Sequence, residues 1–412
     1  MIASNKTAQG EFTSIVTIIL CFFAAVLEGG DIVSMGLAAP SVAREFGFDP
    51  GELSYILTAA VIGLMFGAFI GGRLGDMFGR KWMLTGSIFF VGLFSLLTSI
   101  SSDLIQFILF RLLCGVALGG AFPNLIALVS ENAQDGKRAM SVGLMSAGLP
   151  VGGVAMSLFV AGQSEAFDWR TIFYLGGSIP LLYVPVLAFF IPESRIFRQA
   201  KEKRAEAQEN ASRPRIAFAL FEEGRTLATL LLWTSFWFAQ VVVYLINNWL
   251  PTLMVAKGFT QQQASTIFAY ENLGAIAGCI LLPLLADYGH LRKTLIISFS
   301  MVALSLVSLS VATSLFAVTL AAIVVGVFAI GGQILLYSLT PFYYPTLVRA
   351  TGSGAAVSVG RLGGIAGPLV AGQLLAAGLS SEAVLIAAAP CALLAGAAAT
   401  ALVLLKKPGE SA

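Results

Sequence analysis

The ten residues Gly72-Arg-Leu-Gly-Asp76-Met-Phe-Gly79-Arg80-Lys81 decide how this chain folds, because they join two long apolar runs at 53–72 and 82–101. Each run has the roughly 20 residues that a helix needs to cross a hydrocarbon core of about 30 Å. Helices are expected because isolated strands would leave backbone groups unpaired in lipid. The segment therefore predicts two membrane-spanning helices joined by a short charged loop at the membrane surface.

The composition extends this prediction to the whole chain. Of 412 residues, 57% are hydrophobic and 11% are charged, whereas a water-soluble protein carries roughly a quarter charged residues. The fold class is therefore predicted to be all-α and integral to the membrane. The apolar runs predict twelve spans at about 14–39, 53–72, 82–101, 104–130, 139–162, 170–191, 226–254, 263–285, 294–312, 315–341, 351–376 and 383–405.

The loops divide the positive charge unequally. If both termini and the long polar segment 192–225 share one side, that side holds 19 of the 24 Lys and Arg residues. The other side holds only Arg44, Arg170 and Lys257. Because Lys and Arg concentrate in cytoplasmic loops, both termini are expected in the cytoplasm. The polar segment is expected to form linker helices at the membrane surface, since it is too short for a catalytic domain with its own core.

A shift of 211 residues aligns the chain with itself without gaps. Asp76 then falls on Asp287, and Arg138-Ala139 falls on Arg349-Ala350. Glycines repeat as well, in the pairs Gly63 and Gly274, Gly67 and Gly278, Gly115 and Gly326, Gly120 and Gly331, Gly143 and Gly354, and Gly152-Gly153 and Gly363-Gly364. Equivalent positions are six spans apart, so the halves share one orientation. The repeat predicts an N-terminal half, a cytoplasmic linker and a C-terminal half at 1–191, 192–225 and 226–412.

The opening segment resembles the loop signature of the major facilitator superfamily, Gly-x-x-x-Asp-Arg-x-Gly-Arg-Arg, with Met77 in place of the usual basic residue. The resemblance implies two parallel six-helix halves and a charge cluster that locks the cytoplasmic side in the outward-open state. Glu131 is the expected partner of Arg80. The gating residues implied are Asp76, Arg80, Lys81, Glu131 and, from the degraded second copy, Asp287.

Other segments resemble the aromatic acid:proton symporter family. Glu28-Gly-Gly-Asp31 is similar to its Asp-Gly-x-Asp signature. Further matching segments are Arg111-x-x-x-Gly115-x-x-x-Gly119, Asp168-Trp-Arg170, Pro192-Glu-Ser194, Asn248-Trp-Leu-Pro251 and Arg349-Ala-Thr-Gly352. The segments that look most like 3-(3-hydroxyphenyl)propionate transporters are Glu28–Asp31, Phe122–Leu128 and Gly331–Tyr337. The resemblance implies proton-coupled import of aromatic carboxylates, for aromatic catabolism, across a bacterial inner membrane.

The ionisable side chains inside predicted spans are Glu28, Asp31, Arg111, Glu271 and Arg361. A charge at the bilayer centre costs about 2.5–3.5 kcal/mol, so each should face the interior and have a partner. Asp31 and Arg111 lie about 12 and 10 Å deep from the same side, at 1.5 Å per residue. They are therefore expected to form an ion pair, with Glu28 one turn deeper on the same face. A static structural pair is the alternative.

Proton coupling requires a group that titrates during the cycle. The only histidine, His290, falls in a loop, so a carboxylate must carry the proton. An acid that alternately gains and loses contact with an arginine can take up and release one. The order of candidates is Asp31, then Glu28, then Glu271.

Arg361 lies near the predicted midplane of its span, where transporters hold substrate. A guanidinium binds a carboxylate through two parallel hydrogen bonds, and a resting pair with Glu271 is the alternative. Aromatic and amide side chains are expected to contact the substrate ring and its hydroxyl, although Trp and Tyr also form interfacial belts. The candidate substrate-binding residues are Arg361, Arg111, Tyr337, Gln333, Asn248, Asn247, Tyr244 and Trp237.

Several classes of function are disfavoured. The sequence has no Gly-x-x-x-x-Gly-Lys-Ser/Thr motif for ATP, no nucleic-acid motif, and no cofactor or metal site is expected. The cysteines Cys21, Cys114, Cys279 and Cys391 are interpreted as small buried hydrophobes.

A monomeric secondary transporter, not an enzyme, is predicted, with protons, an aromatic carboxylate and membrane lipid as partners. The alternatives are a proton antiporter exporting organic acids or drugs, since Gly148–Gly153 partly resembles an antiporter signature, and a non-transporting membrane sensor.

Overall fold

The computed structural model describes residues 2–133, 138–163, 168–193, 220–221, 225–344 and 348–405. Within those ranges the secondary structure is helical and contains no strand. The helices before the linker are α1 (Ile2–Phe46), α2 (Pro50–Phe78), α3 (Arg80–Ser99), α4 (Leu104–Asn132), α5 (Arg138–Ser146), α6 (Gly148–Ala161) and α7 (Arg170–Phe190). Those after it are α8 (Thr226–Ala256), α9 (Gln261–Leu285), α10 (Leu291–Val311), α11 (Leu315–Leu339), α12 (Arg349–Ala376) and α13 (Ser381–Leu404).

The described helices agree with the predicted all-α membrane fold. Eleven helical stretches are long and apolar enough to cross a membrane, and one of them, Gln261–Val311, has 51 residues. That stretch contains both α9 and α10, joined by the π-helical turn Ala286–His290. The helix is kinked within this turn at Gly289, whose φ of 83° lies in the left-handed region. Counting α9 and α10 separately gives the twelve spans that the apolar runs predict.

The chain divides into two compact units. The first comprises residues 1–42, 55–156 and 166–210, and the second comprises 43–54, 157–165 and 211–412. Each unit thus holds most of one predicted half. The limits of the two halves and the linker, at 1–191, 192–225 and 226–412, remain a prediction from the sequence.

In the first unit, glycines bring α2 and α4 into backbone contact. A Cβ added at Gly63 would overlap the carbonyl oxygen of Leu112, and one added at Gly67 would overlap that of Val116. Small residues allow this approach, and close packing is what holds helices together in lipid. These glycines are therefore needed for contact between the two helices.

The second unit repeats the same contacts 211 residues later. A Cβ added at Gly274 would overlap the carbonyl oxygen of Ile323, and one at Gly278 would overlap that of Val327. These positions are the equivalents of the four in the first unit. The repeat seen in the sequence is thus also a repeat of helix packing, between α9 and α11.

A second pair of helices repeats in the same way. Gly152 of α6 lies against the carbonyl oxygen of Val26 in α1, and Gly363 of α12 lies against that of Trp237 in α8. Both members of each contact are again related by 211 residues. The packing supports a duplicated scaffold in which equivalent glycines have equivalent neighbours.

The variant Gly67→Ala is expected to lower the midpoint of thermal unfolding of the purified protein. Its Cβ would overlap backbone atoms of Val116, which cannot rotate away, and such overpacking costs about 1–3 kcal/mol. The matched control is Gly86→Ala in α3, where an added Cβ meets nothing within 4 Å. Since Ala favours helix over Gly by about 1 kcal/mol, the control should unfold no earlier than wild type. Equal midpoints for the two variants would contradict the packing argument.

Candidate functional site

The ion pair predicted between α1 and α4 is present in the first unit. Nη1 of Arg111 lies 3.2 Å from Oδ2 and 3.4 Å from Oδ1 of Asp31. Nη2 of Arg111 also donates a hydrogen bond of 3.3 Å to the backbone carbonyl of Asp31. Each of the two residues is 1% exposed. A pair this buried also needs hydrogen bonds to its remaining polar atoms, and Nε of Arg111 has none among the described residues.

Two further side chains surround this pair. The thiol of Cys114 lies 3.3 Å from Oδ2 of Asp31, and the guanidinium of Arg111 lies 5.9 Å from the ring centroid of Phe173 in α7. Trp169, at the start of α7, packs edge-on against Phe173 with ring centroids 5.8 Å apart. The tryptophan of the Asp168-Trp-Arg170 segment thus supports the ring that faces Arg111.

Glu28 lies one turn from Asp31 on α1, as predicted. It is 2% exposed, and its Oε1 has no hydrogen-bond partner among the residues that the structure describes. A buried ionised carboxylate without a partner is unfavourable. Glu28 is therefore suited to bind a proton, or to form a hydrogen bond or ion pair with a group that approaches it in another conformation.

The charge cluster that the sequence predicts as a gate is centred on Arg80. Its guanidinium forms ion pairs with Glu131 of α4 and, at 3.5 Å, with Asp76 of α2. Glu193, which follows α7, accepts backbone hydrogen bonds of 3.0 and 3.2 Å from Arg80 and Lys81. These N–H groups belong to the first turn of α3 and have no acceptor within the helix, so a carboxylate is favoured there. The role of Glu193 was not predicted, although the Pro192-Glu-Ser194 segment was recognised.

The second copy of this cluster is incomplete. Asp287 is exposed in the π-helical turn Ala286–His290 and forms no ion pair within the described ranges. The 211-residue shift places Leu291 at the position of Arg80 and Phe342 at that of Glu131. The charges of Arg80 and Glu131 are therefore absent from the second copy, whereas Arg292 stands at the position of Lys81.

In the second unit, the structure brings four predicted substrate residues together. Nη1 of Arg361 in α12 donates a hydrogen bond of 2.6 Å to the hydroxyl of Tyr244 in α8. The phenol of Tyr337 in α11 is a further electrostatic neighbour of the guanidinium. Nε2 of Gln333 lies 3.3 Å from the hydroxyl of Tyr337 and donates at 3.0 Å to Gln240.

Two members of this cluster were not predicted. Gln240 is almost fully buried in α8 and accepts from Gln333. Phe236, one turn earlier, packs edge-on against Tyr337 with ring centroids 5.2 Å apart. Its amide, on the same predicted span as Asn247 and Asn248, was the available signal for Gln240. Phe236 had no distinguishing signal among the 30 phenylalanines.

Glu271 does not pair with Arg361 in this conformation, so the alternative of a resting ion pair is wrong for the state described. Glu271 is 2% exposed and accepts a hydrogen bond of 3.0 Å from Nδ2 of the adjacent Asn272. Its backbone carbonyl is the atom that a Cβ at Gly326 would overlap. Glu271 thus lies at the glycine contact between α9 and α11.

The remaining predicted residues on α8 have less direct evidence. The amide of Asn248 donates to the backbone carbonyl of Tyr244, at 2.8 Å, within its own helix. Asn247 and Trp237 are partly buried. Trp249, which was not predicted, donates from Nε1 to the carbonyl of Pro368 at 2.9 Å and ties α8 to α12.

The cluster around Arg361 has the chemistry to bind an aromatic acid. A guanidinium has five N–H donors, and within the described ranges one atom, Nη1, bonds to Tyr244. The edge formed by Nη2 and Nε thus stays available for a carboxylate, with phenol and amide groups near it. No group of three or more metal-ligating side chains occurs in the described ranges.

Known proteins similar to this chain are membrane transporters. A sequence model of the Major Facilitator Superfamily matches residues 21–368. The 3-(3-hydroxy-phenyl)propionate transporter of Escherichia coli is 42% identical, over 93% of this chain and 92% of that protein. The 4-hydroxybenzoate transporter PcaK of Pseudomonas aeruginosa is 33% identical, over 94% of this chain and 91% of that protein.

Solved structures agree at the level of the fold. The nucleoside transporter NupG superposes with a TM-score of 0.75 at 16% identity, over 96% of this chain and 100% of that one. A bacterial homologue of the lysosomal transporter Spinster, inward-facing and occupied, gives a TM-score of 0.72 at 13% identity, over 94% and 96% of the two chains. At these identities the likeness supports the fold and leaves the substrate open.

Proposed function

This chain belongs to the Major Facilitator Superfamily, and from that membership we propose that it imports aromatic carboxylates, such as hydroxyphenylpropionate, together with protons by alternating access. It is a transporter and not an enzyme. Relatives named for hydroxyphenylpropionate, 4-hydroxybenzoate, gallate and benzoate support the substrate class.

The observation that carries the substrate class is the cluster around Arg361. Its guanidinium is held by Tyr244 and lies near Tyr337, and both phenols belong to a group of aromatic and amide side chains. An anionic carboxylate and an aromatic ring would both find complementary groups there. The residues that we propose as substrate ligands are Arg361, Tyr244, Gln333 and Tyr337. Further members of the substrate site are Trp237, Asn247 and Asn248. We propose that Arg111 contributes to it through its ion pair with Asp31.

The Asp31–Arg111 pair supports the coupling part of the proposal. Import of a monoanion against an inside-negative potential costs about 2.3 kcal/mol per 100 mV. Carrying one proton with the anion cancels that cost and leaves the pH gradient as the driving force. In this scheme Asp31 takes up the proton when it separates from Arg111, with Glu28 and Glu271 as the alternative carriers.

The location and state of the protein belong to the same proposal. The distribution of Lys and Arg supports a bacterial inner membrane protein with cytoplasmic termini and a cytoplasmic linker at 192–225. The superfamily supports a monomer.

Uptake of labelled aromatic acids into proteoliposomes tests the function. Acid outside should accelerate entry, a protonophore should abolish accumulation, and 3-(3-hydroxyphenyl)propionate, 4-hydroxybenzoate and benzoate should compete with one another to different degrees. A proton antiporter would instead exchange internal protons for external acid with the opposite pH dependence. A membrane sensor would bind without flux. If no aromatic acid entered under any gradient, the proposal would be wrong.

The gating cluster makes a separate prediction. Glu131→Gln removes a charged partner of Arg80, and loss of about 1.4 kcal/mol of favourable energy in one conformation changes its population about tenfold. We expect the maximal rate of uptake to fall about tenfold while binding of the acid is retained. The comparison variant is Asp287→Asn, at the equivalent loop without these partners, and its rate should change less than about twofold. A larger effect of Asp287→Asn than of Glu131→Gln would assign the gate to the second loop instead.

A further inference from the structure

The thiol of Cys114 lies against the buried Asp31–Arg111 pair, although the residues around it in the sequence are mostly apolar. Cys114 is 0% exposed, and its Sγ lies 3.3 Å from Oδ2 of Asp31. That same oxygen is the one nearest Nη1 of Arg111, at 3.2 Å. One carboxylate oxygen therefore receives both a guanidinium and a thiol, each from α4.

We propose that Cys114 is a positioning residue for proton binding: its S–H donates to the Asp31 carboxylate and holds it against Arg111. The inference rests on the proposed proton coupling, and it adds a residue that the charge pattern of the sequence does not indicate. A thiol is a weak donor. A weak donor suits an acid that must both hold and release a proton, because a strong one would keep the carboxylate ionised.

The surroundings offer the thiol a second acceptor. The backbone carbonyl of Val91 in α3 lies 3.9 Å from Sγ of Cys114, within the longer reach of sulfur. When Asp31 is neutral or has moved, the S–H can turn to this carbonyl and remain satisfied. The donor can therefore exchange between two acceptors without leaving a buried polar group unpaired.

Within the part of the chain that the structure describes, few charged or titratable groups lie near Asp31. On its own helix there is Glu28, one turn away, and from α4 there are Arg111 and Cys114. From α3 a backbone carbonyl lies beside the thiol of Cys114, and from α7 the uncharged ring of Phe173 lies beside the guanidinium of Arg111. Changing the thiol alters its hydrogen bond to Asp31 and its longer contacts with Nη1 of Arg111, at 4.0 Å, and with the Val91 carbonyl, and it leaves the charges unchanged.

Two substitutions should move the pH dependence of uptake in opposite directions. Cys114→Ser supplies a stronger O–H donor, which favours the ionised carboxylate, so half-maximal uptake should require a lower external pH. Cys114→Ala removes the donor, so half-maximal uptake should persist to a higher external pH. A shift of about half a pH unit each way is expected for one modest hydrogen bond.

The matched controls are Cys279→Ser and Cys279→Ala in α9 of the second unit, which should leave the pH profile of wild type unchanged. A packing role for Cys114 predicts that both of its variants lower the maximal rate and leave the pH midpoint unchanged. That result, or shifts of the same sign, would overturn the proposal.

Infrared spectroscopy tests the hydrogen bond without relying on transport. The S–H stretching band of Cys114, isolated as wild type minus Cys114→Ala, should lie at the low frequency of a hydrogen-bonded thiol. In an Asp31→Asn background the same difference band should move to higher frequency. A band that is insensitive to Asp31→Asn would refute the contact even if uptake is proton-driven. Conversely, if wild type took up no aromatic acid, the proposed function would be wrong, and the infrared result would still show whether the thiol binds to Asp31.

Discussion

Asp31→Asn is expected to abolish proton-driven accumulation of the aromatic acid while exchange of labelled for unlabelled acid continues. Asn keeps the size of the side chain but does not titrate, so the carrier can still change conformation with substrate and cannot couple the change to a proton. The measurement compares accumulation under an inward pH gradient with exchange at equal pH in the same proteoliposomes.

The variant also leaves Arg111 buried opposite a neutral amide, and breaking a buried ion pair costs about 3–5 kcal/mol. The double variant Asp31→Asn with Arg111→Gln removes both charges, so it should fold well and still fail to accumulate. Asp31→Glu retains a titrating group and should keep part of the coupling. If Asp31→Asn accumulated substrate as wild type does, the proton would have to be carried by Glu28 or Glu271.

The number and type of membrane spans could be predicted because lipid allows few alternatives. Runs of apolar residues long enough to cross a membrane must form helices, and twelve such runs gave twelve spans. Their ends were less predictable. α1 continues to Phe46, seven residues beyond the apolar run that ends at 39, because helical hydrogen bonding does not stop at the lipid boundary. Span five is broken at Ala147, three residues before Pro150, whose ring removes a helical hydrogen bond and disturbs the preceding turn.

Ion pairs across the first unit could be predicted for a similar reason. A charge in the bilayer needs a partner at its own depth, and this condition selected Arg111 for Asp31. Glu193 and Cys114 escaped prediction for different reasons. The contact of Glu193 joins residues more than a hundred positions apart, and a cysteine in an apolar run has no sign that marks it as a hydrogen-bond donor.

The contrast between glycines and charges separates scaffold from function. Equivalent glycines overlap equivalent carbonyl oxygens in both units, so the duplicated sequence gives duplicated packing. The five intramembrane charges have no charged counterparts, since Glu28, Asp31, Arg111, Glu271 and Arg361 map onto Ala239, Val242, Ala322, Ala60 and Pro150. Each half therefore packs with an uncharged residue at every position where the other half has one of these charges. Packing alone therefore does not account for them, and this supports their assignment to proton and substrate.

Replacing Arg361 should produce the largest loss of substrate affinity. Charge-assisted hydrogen bonds contribute about 1.5–3 kcal/mol, so Arg361→Gln should raise the dissociation constant of the acid about 10- to 150-fold. Arg361→Lys keeps the charge but has no planar fork, and it should fall between Gln and wild type. The control is Tyr244→Phe, which removes the partner of Nη1 and leaves the carboxylate-binding edge in place.

A neutral analogue separates binding of the carboxylate from support of the cluster. Wild type should bind the aromatic acid much more tightly than its primary amide, because only the acid satisfies two guanidinium donors as an anion. Arg361→Gln should bind acid and amide with similar affinity, whereas Tyr244→Phe should keep the preference for the acid even if both affinities fall. Calorimetric titration of the purified variants measures these ratios. If Arg361→Gln kept the full preference for the acid, the carboxylate would have to bind another cation, and Arg361 would serve only to hold Tyr244 in place.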